Sequence, residues 1–237
     1  MPAPSDSPQF DAERADAYDD RIRRLAPGYD ALHTAVASLL ATTLNKRAHL
    51  LVVGAGTGAE IVEMGRSHPQ WQFTAVDPSP NMLERGREAV AAAGMTDRVA
   101  FVCDRVEDIA PTRAFDAATS IFVAHFIQDE ASRQQFYRAI AQRVQPGAPF
   151  VLADLFRGGT ADWHRFRSAW RRSVARAEGS TDEVDALFAR IREQIAFMSE
   201  KTLMQMLNTA GFVGPSRFFQ WMLWGGWVMT KSERGRA

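Results

Sequence analysis

Residues 52–60 read Val52-Val53-Gly54-Ala55-Gly56-Thr57-Gly58-Ala59-Glu60. The apolar run His49–Val53 before them predicts a strand, and residues 59–67, closed by Pro69, predict a helix. Glycines at such a junction let the backbone turn tightly and pass close to a ligand. The free N–H groups of the helix start favour negative charge. A second predicted strand, Gln72–Val76, ends at Asp77, 19 residues beyond Gly58. An acidic side chain there can accept hydrogen bonds from both hydroxyls of a ribose. The pair predicts a nucleoside site at the open end of a parallel sheet. Gly54, Gly56 and Ala59 also satisfy the dinucleotide fingerprint, so the loop by itself leaves a nicotinamide cofactor as the rival.

Working outward, the alternation continues. A helix at Asn81–Ala93 ends at Gly94. Strands are expected at Val99–Val102, Phe115–Ser120 and Phe150–Leu155, with a helix at Ala131–Val144 before the Pro146-Gly147 turn. Two helices, Asp11–Leu25 and Tyr29–Leu44, precede the first strand as a cap. After Gly158-Gly159, apolar stripes (Trp163, Phe166, Trp170, Val174; then Val184, Leu187, Phe188, Ile191, Ile195, Met198) predict two inserted helices. A short helix, Lys201–Ala210, leads to two strands, Ser216–Leu223 and Gly226–Thr230, joined at Gly225. The expected fold is α/β: a Rossmann-like, seven-stranded, mainly parallel sheet with an antiparallel C-terminal hairpin. Residues 1–9 read as a disordered tail and 10–237 as one domain, with a helical cap at 10–45 and a helical insertion at 158–199.

The 28 basic and 28 acidic residues balance, so net charge gives no general attraction to nucleic acid or to an anionic membrane. The one cysteine, Cys103, excludes an internal disulfide, and five scattered histidines show no metal-ligand spacing, so no metal is expected. No stretch has the length and apolarity of a membrane span. A cytoplasmic protein is the expectation.

The order of motifs resembles the class I S-adenosylmethionine (SAM)-dependent methyltransferases. Gly54-Ala55-Gly56-Thr57-Gly58 resembles their first motif and Asp77-Pro78-Ser79-Pro80-Asn81-Met82-Leu83 their second. Asp104, Phe115-Asp116, Gln145-Pro146-Gly147 and Ala210-Gly211-Phe212 follow in matching order. The resemblance implies SAM as cofactor and S-adenosylhomocysteine as product. It implies that the Gly54–Gly58 loop, through Gly54, Ala55 and Gly56, presents backbone to the methionine part. Asp77 would hold the ribose, Pro78 and Met82 flank the adenine, Asp104 and Arg105 address its polar edge, and Ile121 lie near the sulfonium. Where this family usually carries an acidic residue that helps orient the cofactor's amino end, the chain has Val52; Glu60 is nearby but lies on the helix and is not an obvious replacement.

A closer resemblance, carried by Phe10-Asp11, Pro27-Gly28-Tyr29, the insertion and Phe219-Gln220, is to the carboxy-SAM synthases of tRNA wobble-uridine modification. It implies that Tyr29 closes over the cofactor. The chain departs from those enzymes at Ile121, where they have Asn, and at Phe188, where they have a carboxylate-gripping arginine; Arg190 and Arg192 stand nearby.

Methyl transfer from a sulfonium needs mainly alignment, plus a base when the acceptor must lose a proton. His125, five residues past the fourth strand, is the candidate base, against a purely structural role. Asp129 reads as a helix N-cap and Cys103 as packed. The aromatic residues from Phe218 to Trp227 suit an acceptor wall, strand packing or a homodimer surface. The expectation is methyl transfer to a small-molecule acceptor, without membrane or nucleic-acid partner. The alternatives are a carboxy-SAM synthase-like enzyme and a non-catalytic SAM-binding module.

Overall fold

The computed structural model describes residues 11–111, 114–178 and 180–233. The predicted tail at 1–9, and Phe10, lie outside the described residues. A seven-strand path runs β3(Val99–Val102)-β2(Gln72–Val76)-β1(His49–Val53)-β4(Ala117–Ile121)-β5(Pro149–Arg157)-β8(Trp224–Lys231)-β7(Phe212–Trp221). The first five strands are parallel; β8 is antiparallel to β5, and β7 to β8. This is the expected Rossmann-like architecture, with one addition: the two-residue β6(Met198–Ser199) pairs with the end of β5.

The central strands read as continuous apolar runs because helices cover both faces. Leu50 and Val52 face a core shared with α2(Tyr18–Leu25), α3(Tyr29–Ala41), α4(Ala59–Ser67), α7(Thr160–Glu178) and α8(Thr181–Gln194). Leu51 and Val53 face the other core, under α6(Glu130–Arg143) and α9(Glu200–Ala210). The period of two along β1 therefore divides the molecule into two layers. On the first of these layers, α5(Pro80–Ala92) starts with Ser79 as N-cap and Pro80 in its first turn.

Three local expectations are corrected. The first predicted helix is broken at Ala17 into α1(Ala12–Asp16) and α2. Arg85 of α5 pairs with Asp16, while Asp19 accepts the Thr57 hydroxyl at 2.7 Å, so the two halves are tied to different elements. The hairpin turns at Met222-Leu223, with Met222 at φ 51°, not at Gly225. Gly225 lies inside β8, where a Cβ would come within 2.4 Å of the Trp227 ring and 2.9 Å of Phe156. The second inserted helix ends at Gln194, so Ile195 follows it and Met198 belongs to β6.

Candidate active site

The three loop glycines adopt positive φ (70°, 51° and 76° at Gly54, Gly56 and Gly58), which explains their identity. The loop they form is one wall of a cavity of about 460 Å³ at the C-terminal ends of β1, β2 and β4, ample for a small molecule. Asp77 is fixed at its centre. One carboxylate oxygen accepts the Gly56 N–H at 3.0 Å and the other the Ser79 N–H at 2.9 Å. Burial pushes the Asp77 carboxyl up in pKa, and these two N–H groups pull it back. Both oxygens keep lone pairs for further donors.

Gly54, Gly56, Asp77, Pro78, Met82, Asp104, Arg105 and Ile121 all line this one cavity, which is a donor and acceptor set suited to a nucleoside. Three other residues singled out by the motifs are outside the lining. Ala55 is buried, its N–H on the Val76 carbonyl. Gly58 opens α4, and a Cβ there would sit 3.3 Å from the Gly86 backbone, so it serves close packing of α4 on α5. Tyr29 is buried in the cap with its ring 4.3 Å from His33 and 6.0 Å from Phe122. Cys103 is exposed, not packed.

A smaller cavity of about 100 Å³ adjoins the first and shares Tyr18, Phe122 and Phe126 with it. Its walls come from Ile22 of α2, Leu187 and Ile191 of α8, and Trp224 of β8. His125, on the 3-10 turn Ala124–Phe126, also lines it. Its Nδ1 is hydrogen-bonded to Asp154 Oδ1, and both side chains are almost wholly buried. Asp154 is held in turn by the Leu155 N–H at 2.8 Å. A carboxylate on Nδ1 favours the tautomer that leaves an acceptor lone pair on Nε2.

Asp154 was not singled out from the sequence; its signal is a charge within the apolar strand Val151-Leu152-Ala153-Asp154-Leu155. The His125 turn is clamped from two sides. Buried Arg133 donates to the carbonyls of Ile127 and Ala196, and the Ala196 N–H reaches the His125 carbonyl at 2.9 Å. Asp129 caps α6 by accepting the Ser132 N–H at 2.7 Å. At the partition between the cavities, Phe122 has φ 62°, a rare and strained conformation for a non-glycine residue. Its N–H on the Ala153 carbonyl and its ring 4.4 Å from Trp224 hold it there.

The insertion places Phe188 in the core, 5.0 Å from Trp170, whereas Arg190 reaches the smaller cavity. Of the C-terminal aromatics, Trp224 and Trp227 are buried and Phe218, Phe219 and Trp221 half-buried. Among the described residues no group of three His, Cys, Asp or Glu could hold a metal ion, and no helix is long and apolar enough to cross a membrane.

The fold is that of the class I methyltransferases, and residues 50–147 match the family described as a methyltransferase domain. The chain is similar to carboxy-S-adenosyl-L-methionine synthases. With that of Hydrogenovibrio crunogenus it shares 28% identity over 90% of this chain and 84% of the relative. With that of Escherichia coli it shares 25% identity over 94% and 91%. A solved structure from Methanococcus maripaludis, described as an S-adenosyl-L-methionine-dependent methyltransferase, superposes over the full length of both chains with TM-score 0.67 at 17% identity. The S-adenosylmethionine-dependent methyltransferase SibL aligns with TM-score 0.60 at 19% identity over 86% of this chain, which spans 56% of SibL.

Proposed function

We propose that this protein transfers the methyl group of SAM to a small-molecule acceptor in the cytoplasm. The observation that carries the reading is the meeting of the two cavities at Tyr18, Phe122 and Phe126, with the His125–Asp154 pair on the smaller side. Bound SAM supplies an electrophilic methyl on a sulfonium. Asp77 holds the ribose hydroxyls, Pro78 and Met82 enclose the adenine, and Asp104 and Arg105 meet its edge. The backbone of Gly54 and Gly56 receives the methionine end.

On the acceptor side, apolar walls exclude water and align the nucleophile, which is the larger part of catalysis here. His125 Nε2 takes the acceptor's proton while Asp154 stabilises the imidazolium that forms. The buried Trp224 indole N–H has no hydrogen-bond partner among the described residues and can donate to an acceptor oxygen. The reading is tested by incubating the protein with methyl-labelled SAM and a panel of small hydroxyl- or amine-bearing acceptors. Labelled product supports it. Tight SAM binding with no transfer to any acceptor would instead favour a non-catalytic SAM-binding module.

A second reading, a carboxy-SAM synthase-like activity, is favoured by the similarity to those synthases and by Arg190 at the smaller cavity. Mass spectrometry of the ligand released on denaturation separates the two. SAM or S-adenosylhomocysteine supports methyl transfer, and carboxy-SAM the synthase.

A further inference from the structure

Glu60, in the first turn of α4, is 5% exposed and lies on the sheet face that carries Val52 and Thr119. One carboxyl oxygen accepts the Thr119 hydroxyl at 3.0 Å; the other is buried without a hydrogen-bond partner among the described residues. An unsatisfied buried carboxyl is costly and calls for a reason, since an apolar side chain would fill the place more cheaply. Val52 and Thr119 are register partners on β1 and β4. Ile121, two residues beyond Thr119 on β4 and on the same face, lines the larger cavity, as does Gly54, the first residue after β1. The Glu60 carboxyl therefore lies roughly 7 Å beneath that cavity's rim.

Among the described residues no cation bears on the Glu60 carboxyl itself, although Arg23 of α2 acts on the neighbouring Tyr29 and His33. Tyr18 and Asp19 of α2 and Tyr29 of α3 sit on the cap side, with Asp77 at the end of β2. Burial is the main cause that raises the Tyr18 and Tyr29 pKa values; the charges of Asp19 and Glu60 add to it, with Asp77 acting on Tyr18 as well. His33, also on α3, is buried and held neutral. Burial pushes the Glu60 carboxyl up to about 8, against the smaller pull of the Thr119 hydroxyl. The site is thus prepared for a cation that the protein does not itself supply.

We propose that Glu60 is the counter-charge for the cationic methionine end of SAM, carrying a proton in the free protein and releasing it to solvent when a sulfonium and an ammonium settle above it. It acts through the field in a dry interior, without lining the cavity, and so is a positioning residue. The inference rests on the SAM-binding reading above. It adds that SAM binding expels a proton and that affinity depends on one residue outside the glycine loop.

The test is calorimetric titration of the full chain with SAM at pH 7 in buffers of different ionisation enthalpy. The wild type is expected to release roughly one proton per SAM bound. Glu60→Gln keeps the size and a hydrogen bond to Thr119 but cannot ionise. It is expected to release no proton from this site and to bind SAM about tenfold more weakly or worse. S-adenosylhomocysteine, which lacks the sulfonium charge, should lose less. Moving the acid across the register in the double variant Val52→Asp/Glu60→Gln should recover affinity. Equal affinity and equal proton release in wild type and Glu60→Gln would overturn the proposal and make Glu60 a packing residue, with the SAM reading intact. A wild type that binds no SAM would overturn both.

Discussion

The two cavities are built in different ways. The larger is walled largely by short runs of neighbouring residues at strand ends: Val53, Gly54 and Gly56, the Asp77–Met82 segment, Asp104–Glu107 and Ile121–Val123. The smaller draws side chains from α2, the His125 turn, α8 and β8, spread over some two hundred residues of chain. Under the proposed function the first holds the cofactor and the second the acceptor. A local construction tolerates change elsewhere in the chain, whereas a convergent one depends on every element that reaches it.

Substitutions that separate the two regions test this. The largest effect is expected from His125→Ala, which should slow turnover roughly 10²–10⁴-fold if Nε2 is the base. SAM affinity, measured by titration, should hold; a parallel loss of both would mean that the cavities are one mechanical unit. Next, Asp77→Ala removes hydrogen bonds to a ribose at roughly 1.5–3 kcal/mol each. It should weaken SAM binding strongly and leave acceptor saturation at high SAM nearly unchanged. Unaltered SAM affinity would remove the nucleoside assignment.

Acid and base should find different weak points. Burial holds the His33 pKa down at about 4. The unfolded chain then binds the extra proton, so stability is present above the unfolded value and is lost as pH falls from about 6.5 through 4. The loss is roughly 2–3 kcal/mol in thermal or urea unfolding, and His33→Leu should abolish it. Glu60 has the opposite sign. Its folded pKa is raised to about 8, so its stability is complete below about 4.5 and is lost as pH rises through 8. Ligand-free Glu60→Gln should therefore out-melt the wild type at pH 8. The smallest effect is expected from Leu187→Ala, which should raise the acceptor KM about fivefold, equivalent to about 1 kcal/mol, with SAM affinity unchanged.

The same contrast decides what could be read before any coordinates. The glycine loop, Asp77 and the alternation of strand and helix are local or periodic, and each stands in the sequence whole. The partner of His125 does not: Asp154 is 29 residues away, and only its oddness in an apolar strand marks it. Gly225 misled because glycine there makes room for the Trp227 ring, while the turn falls to Met222. Glu60 stands on the helix and is no obvious replacement for an acid at Val52 in the sequence, because its burial depends on how α4 lies on the sheet. The inserted helices were legible as stripes, but which side chains enter the pocket depends on where they dock, so Arg190 reaches it and Phe188 does not.

The position of β8 has a consequence for synthesis. It leaves the ribosome after every other described strand, yet it sits between β5 and β7 and seats Trp227 in the core. Until it emerges, β5 has an open edge, and the floor of the smaller cavity lacks Trp224. The nucleotide half can assemble as it is translated, but the acceptor half must wait. A nascent or truncated chain would thus expose a β-edge and an apolar surface, a hazard that chaperones exist to cover.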